Sequence, residues 1–216
     1  MTEVPLMPDP RVIESPTALR ILDVATQLFM QRGYRAVSIS DIIHTAGVTK
    51  PTLYYYFSDK EDLFVQMGLK VLWTMSRPLA ELAASERALV ERLRAMADLL
   101  ISGYEGDMRI MRHEMTEHLS AAARSRLSAA FYQHLFAPLT KIMREALTAG
   151  VVRADMSPAM LATLFLSLCE TFHELTSTNA MMGWSGSVSA ELLVDIFLYG
   201  AGTRSADNRS VGMAEV

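Results

Sequence analysis

Residues 38–60 read SISDIIHTAGVTKPTLYYYFSDK, and this stretch sets how the rest of the chain is understood. Ser38 stands where an N-cap hydroxyl opens a helix. Behind it Ile39, Ile42, Ile43 and Ala46 recur at i, i+3, i+4 and i+7, one apolar stripe. Gly47 follows the stripe, at the position where a helix ends in a left-handed backbone. Val48 is an apolar plug between two helices crossing at a steep angle. Thr49 is a second N-cap, and Pro51 falls in the first turn it opens, where a missing N–H costs least. The second helix sets Lys50, Thr52, Tyr54, Tyr55 and Tyr56 around the apolar pair Leu53 and Phe57. Neighbouring side chains on a helix diverge by about 100°, so three consecutive tyrosines cannot share one buried face. A short helix with so many hydroxyls and a cation is poorly suited to a core. Two such helices around a glycine turn read as a helix-turn-helix, and the second suits a major groove.

That reading assigns roles. Thr49, Lys50, Thr52 and Tyr54 are expected at base edges or the phosphates beside them, where hydroxyls and aromatic faces meet thymine methyls and an ammonium reaches guanine. Pro51, among them, bears on which base or phosphate is reached. Tyr55, Tyr56 and Lys60 are expected on phosphates, fixing register rather than sequence, and Ser38 on a further phosphate at its helix N-terminus. The competing reading makes the tyrosines a patch that packs two helices and Thr49 a simple cap.

Outward from this stretch, 216 residues of which 50% are hydrophobic suffice for one small and one larger domain. A formal net charge of −4 and a pI near 5.7 exclude a generally basic nucleic-acid coat protein. Residues 16–75 hold six Lys/Arg against five Asp/Glu, and residues 76–216 hold thirteen against sixteen. The motif, not the charge, therefore carries the case for DNA. The single cysteine, Cys169, excludes an intramolecular disulfide framework. No basic start followed by an apolar run marks a secretory signal. The most apolar stretch, residues 160–169, falls short of the roughly 20 residues needed to span a bilayer. A soluble, cytoplasmic protein with no membrane partner is expected.

Apolar periodicity predicts helices throughout and no strand. One runs over residues 16–32 and ends at Gly33; another, capped by Ser58 or Asp59, runs toward Pro78. Others lie near 85–103, 107–119, 123–149, 157–180 and 188–202. Pro138 should kink or split the third of these. The expected organisation is a flexible, Pro- and acid-rich arm at 1–15, a helix-turn-helix domain at 16–60, a helical domain at 61–204 and a flexible tail at 205–216.

Residues 20–63 resemble the N-terminal domain of the TetR family of bacterial transcriptional regulators. The resemblance rests on Ile21-Leu22, Ala25, Leu28-Phe29, Gly33-Tyr34, Ala46-Gly47-Val48-Thr49, Leu53-Tyr54-Tyr55-Tyr56-Phe57 and Lys60, in order and without gaps. Pro51 stands where many relatives have Gly, and Tyr56 where many have His, so the operator does not carry over. The resemblance implies an all-α protein of about nine helices: a three-helix helix-turn-helix domain and a larger helical ligand-binding and dimerisation domain. It implies a homodimer that represses transcription from a palindromic double-stranded DNA operator and is released by a small, largely apolar effector. No cofactor is implied.

Fifteen methionines suit a pocket of irregular apolar shape. The candidate lining is Met96, Leu100, Tyr104, Met108, Met111, Met115, Phe131, Leu135, Phe172 and His173, with ordinary core filling as the alternative. The dimer interface expected from the last two long helices uses Leu161, Phe165, Leu168, Phe172, Leu193 and Phe197.

The run HEMTEH pairs His113 with Glu117 and Glu114 with His118 at i, i+4. A metal sensor or metalloenzyme is the reading this invites. The spacing departs from zinc-protease motifs and the two pairs point in different directions, so solvated helical pairs are preferred. A DNA-binding regulator that answers to a protein partner instead of an effector is the other alternative. Nothing else resembles a nucleophile, a phosphate loop or a carboxylate pair, and an enzyme is not expected.

Overall fold

The computed structural model describes residues 6–102, 108–182 and 188–200, with every side chain in them except those of 108–112 and 177–182. All regular structure among these residues is helical. The N-terminal elements are α1 (Pro10–Ile13), α2 (Pro16–Arg32), α3 (Ile39–Ala46) and α4 (Lys50–Tyr56). Their starts are set by local side chains: Asp9, Ser15, Ser38 and Thr49 each accept a backbone N–H of the first turn. Gly47 ends α3 at φ 62°, ψ 40°, the left-handed conformation expected of it. Ile21, Leu22, Ala25, Phe29, Ile42, Leu53 and Phe57 are buried between these helices.

The fourth expected helix is α5 (Lys60–Ala84), capped by Asp59. It passes through Pro78 rather than stopping there. Leu79 and Ala83, beyond the proline, are buried, and Arg92 holds the helix end: Nε donates to Leu82 O at 3.1 Å and Nη2 to Ala83 O at 2.9 Å. Burial and satisfied terminal carbonyls offset the roughly 3 kcal/mol that an interior proline costs. Helix α5 is the axis of the molecule, packing on α2, α6 (Leu89–Ser102), α8 (Ala121–Phe131) and α9 (Ala137–Thr148). At Gly68 it lets α8 approach so closely that an added Cβ would stand 2.8 Å from Leu127 Cδ2.

Pro138 acts as expected. Residues 132–136 between α8 and α9 form a π-helical turn, in which the Ala137 N–H reaches Tyr132 O. The wider turn makes room where the proline ring would clash with the carbonyl four residues back. Helix α7 (Met108–His118) precedes α8, and α10 (Pro158–Met182) and α11 (Ala190–Tyr199) complete the described chain, packed on α6 and α9. The helices exceed the expected nine because α1 was not foreseen and the 123–149 segment is divided.

Residues 6–15 depart from the flexible arm expected over 1–15. Val12 is fully buried, the Asp9 N–H donates to Gln66 Oε1 at 2.9 Å, and His134 Nε2 donates to Leu6 O at 3.0 Å. Acid and proline here make a capped helical turn instead of a solvated tether. Among the described residues no helix is long and apolar enough to cross a membrane. The expected tail at 205–216 lies outside them.

Candidate nucleic-acid interface

Helix α4 is held from below and open above. Leu53 and the following Phe57 are fully buried, and the Val48 N–H bonds Ile43 O at 3.2 Å, fixing the turn from α3. The rest of α4 faces outward. Thr49, Lys50 and Pro51 are exposed, Thr52 is half-buried, and Tyr54 and Tyr55 are 43% and 65% exposed. The Thr49 hydroxyl accepts the Thr52 N–H at 3.3 Å and shares a hydrogen bond with the Thr52 hydroxyl at 2.7 Å. Lys50 Nζ lies 5.9 Å from the centre of the Tyr54 ring. One face therefore carries two hydroxyls, an ammonium and an aromatic ring.

Tyr56 is half-buried, its ring set edge-on to Tyr55 at 4.8 Å, and its Oη accepts a hydrogen bond from Ser15 Oγ at 2.9 Å. Ser38 is more committed than expected. Its N–H and its hydroxyl both donate to Asp41 Oδ2, at 2.8 and 2.7 Å, in a capping box that holds the Asp41 carboxyl below its usual range. Ser38 thus orients the start of α3 through Asp41. Lys60 also has a protein partner: Nζ lies 4.2 Å from the centre of the Tyr34 ring. Burial lowers the pKa of that ammonium, opposed by the Glu114 and Asp41 carboxylates.

The HEMTEH segment lies where the two parts of the chain meet. A Cβ on Gly33 would stand 3.0 Å from Glu114 Oε1, and the His118 ring stacks on Tyr34 at 6.1 Å. His118 Nε2 is 3.4 Å from Glu114 Oε2. One turn on, the Ser120 N–H and hydroxyl donate to Glu61 at 2.6 and 2.9 Å. Glu114 and His118 thus pack α7 against the α2–α3 corner, while His113 and Glu117 are exposed. Among the described residues no group of three or more His, Cys, Asp or Glu side chains is placed to hold a metal ion.

Of the expected pocket residues, Met96, Leu135 and Phe172 are buried, and Leu100, Met115, Phe131 and His173 are half-buried. Met96 and Leu100 lie on α6 and Phe172 and His173 on α10, two helices in contact, and His173 Nδ1 bonds Ile101 O at 2.6 Å. Phe131 and Leu135 lie instead on the α8–π–α9 side. Tyr104 and the side chains of Met108 and Met111 lie outside the described residues.

Most of the expected dimer residues also belong to the core of the single chain. Leu161, Phe165, Phe172 and Leu193 are buried within the single chain, and Phe165 packs edge-on against Phe197 at 5.2 Å. The α10 surface left open is the next stripe round, with Met160 at 54% and Leu164 at 45% exposed, beside Leu192 and Tyr199 on α11. Both helices are apolar on more than one side, and periodicity alone did not say which side turned inward. Sequence reasoning also missed Ser15 and Tyr34. The signal for Ser15 was present, a serine directly before a proline that opens a helix.

A buried three-helix base presenting the outer face of α4 defines a helix-turn-helix protein with a larger helical domain attached. Residues 21–67 match the family model described as bacterial regulatory proteins, tetR family. The chain is 42% identical over 60 residues to the transcriptional regulator AcrR of Shigella flexneri, a match covering 28% of this chain and 26% of that regulator. It is 26% identical over 156 residues to the transcriptional repressor DhaR of Mycobacterium sp. (strain GP1), covering 71% and 78% of the two chains. In fold it is similar to the Bacillus subtilis transcriptional regulator FadR in complex with stearoyl-CoA, with a TM-score of 0.66 at 17% identity over 85% of this chain and 99% of that one. Reduced NemR of E. coli gives 0.64 at 20% identity, over 84% and 95%. Over residues 21–67 the chain is thus similar to the tetR family of bacterial regulatory proteins.

Proposed function

We propose that this chain is a transcriptional repressor that binds a palindromic operator as a homodimer and releases it when a small, largely apolar effector enters the helical domain. The observation that carries the reading is the outer face of α4, where Thr49, Lys50, Thr52 and Tyr54 stand clear of a buried Leu53. Side chains of this kind on a short, capped helix match the hydrogen-bonding and methyl edges of a major groove. Tyr55 and Tyr56 flank that face as phosphate ligands, and Lys60 reaches a phosphate by leaving Tyr34.

Two short reading helices imply two half-sites, and twofold symmetry supplies them. The open stripe of Met160, Leu164, Leu192 and Tyr199 is the self-complementary surface this reading uses, with Leu168 and Phe197 at its margin. The α6–α10 seam around Met96, Phe172 and His173 is the effector region. A protein of similar fold, FadR of Bacillus subtilis, has been solved in complex with stearoyl-CoA, a long apolar ligand of the class proposed here. An effector acts by binding the two conformations unequally. Helix α5, which packs on helices of both parts, is the lever between them.

A second reading, a DNA-binding regulator without a small effector, is favoured by the complete burial of Met96 and Met143, which leaves those methionines as core. The test is a selection of bound sequences from random duplex DNA by the purified protein at stated salt. The first reading predicts an inverted repeat, bound by one dimer and weakened by acyl-chain or other apolar ligands. An inverted repeat indifferent to such ligands favours the second. Enrichment of no sequence by folded protein would exclude both.

A further inference from the structure

The corner between α1, α2 and α4 holds a group that a DNA-binding reading does not by itself require. Ser15 is the N-cap of α2, and its Oγ accepts the Ala18 N–H at 3.3 Å. The same hydroxyl donates its one proton to Tyr56 Oη at 2.9 Å. A tyrosine hydroxyl has one proton and acceptor lone pairs. With a lone pair of Oη taken by Ser15, the Tyr56 proton is free to point away from the protein. Tyr56 is further fixed by the edge-on Tyr55 ring at 4.8 Å and by Phe57 at 6.3 Å. The Arg11 guanidinium is oriented by Asp9, Nη2 standing 2.6 Å from Oδ2.

We propose that Ser15 is a positioning residue for DNA-backbone binding: it polarises Tyr56 so that its O–H donates to a phosphodiester oxygen beside the C-terminal end of α4. The inference rests on the DNA-binding reading and deepens it. A phosphate oxygen only accepts hydrogen bonds, so a tyrosine whose proton is turned inward meets it lone pair to lone pair. With Ser15 as the donor in this pair, that inward orientation is disfavoured before DNA arrives, and the contact forms with less reorientation. Because the ligand is backbone, the effect is the same for every sequence.

The experiment measures affinity and its salt dependence for an operator duplex and an unrelated duplex, using full-length wild type, Ser15→Gly, Ser15→Thr, Tyr56→Phe and the Ser15→Gly/Tyr56→Phe double variant. Glycine keeps most N-cap function, so Ser15→Gly should fold, and its melting temperature is recorded beside each affinity. A hydrogen bond to a charged group lost at this site should weaken both duplexes about tenfold. Tyr56→Phe should do the same and Ser15→Thr should restore wild-type binding. The double variant should bind no more weakly than Tyr56→Phe alone. Losses that simply add would overturn the proposal, since Ser15 would then act on its own. So would wild-type affinity for Ser15→Gly beside a weakened Tyr56→Phe. A wild-type protein that binds neither duplex would instead remove the DNA-binding reading beneath it.

Discussion

The Lys60 ammonium sits over the Tyr34 ring, 4.2 Å from its centre, and joins the start of α5 to the corner after α2. Tyr34 in turn meets Phe29 and Phe64 at 5.5 and 5.3 Å and carries the His118 ring of α7 on its face. A residue expected on DNA backbone is thus also part of the junction between the DNA-binding helices and the rest. Such a contact is worth about 0.5–1 kcal/mol at a half-exposed site, small enough for a phosphate to compete.

Lys60→Met keeps the stem over Tyr34 and removes the charge. Its DNA affinity should fall about equally for all duplexes, with the slope of log affinity against log salt reduced by about 0.9 per subunit. An unchanged slope would mean the ammonium stays on the ring when DNA binds. The pH dependence has a definite sign. Burial lowers the pKa of Lys60 below its ordinary 10.5, so the folded protein sheds this proton at lower pH than the unfolded chain. Its contribution to stability therefore grows as pH rises through the folded value toward 10.5. Lys60→Met should abolish that rise in chemical-denaturation profiles.

At Gly68 the sign of a substitution should depend on its neighbour. A Cβ there would stand 2.8 Å from Leu127 Cδ2, and overpacking costs about 1–3 kcal/mol. Alanine in a helix gains up to about 1 kcal/mol over glycine. Gly68→Ala should destabilise the wild type in urea and stabilise the Leu127→Ala variant. A loss of the same size in both backgrounds would show that Leu127 is not what Gly68 accommodates.

Arg92 is buried and satisfies three acceptors: Leu82 O, Ala83 O and Glu145 Oε2 at 2.7 Å. Arg92→Met leaves the Ala83 carbonyl at the end of α5 without a partner, while Leu82 O keeps the Ser85 N–H, and should cost about 1–3 kcal/mol. Glu145 is 41% exposed on its side chain, so Glu145→Gln should cost under about 1 kcal/mol. Equal losses in denaturant titrations would place the stabilisation in the ion pair, not the carbonyls.

The inner and outer faces of α10 should separate folding from assembly. Phe165 is fully buried in the chain, and Phe165→Ala should lower stability by about 3–5 kcal/mol. Leu164→Glu, on the open stripe, should leave the protomer folded and shift sedimentation from dimer to monomer. A dimer unaffected by Leu164→Glu would move the interface elsewhere.

The helix-turn-helix was legible because its signals are local. Ser38, Gly47, Thr49 and Pro51 each act within one turn, and Leu53 and Phe57 leave one orientation for α4. What escaped is set by contacts distant in sequence. Tyr34 claims Lys60 from across the domain, whereas the Ser38–Asp41 capping box, three residues apart, was local and legible. Val12 is buried because α1 packs on α2, which no property of an acidic, proline-rich segment announces. Pro78 was misread for the same reason, since Arg92 secures the end of its helix from another element. On α10, apolar on several sides, the inward face was decided by α9, α6 and α11.

The central claim is that the outer face of α4 reads base sequence. The most direct measurement compares half-sites selected from random duplex DNA by wild type and by Tyr54→Ala. The exposed Tyr54 should set the preference at one or two base pairs, so the variant should recover a half-site changed at those positions and otherwise intact. Recovery of the same half-site at uniformly lower affinity would contradict the account, because Tyr54 would then touch only backbone and the sequence would be read elsewhere.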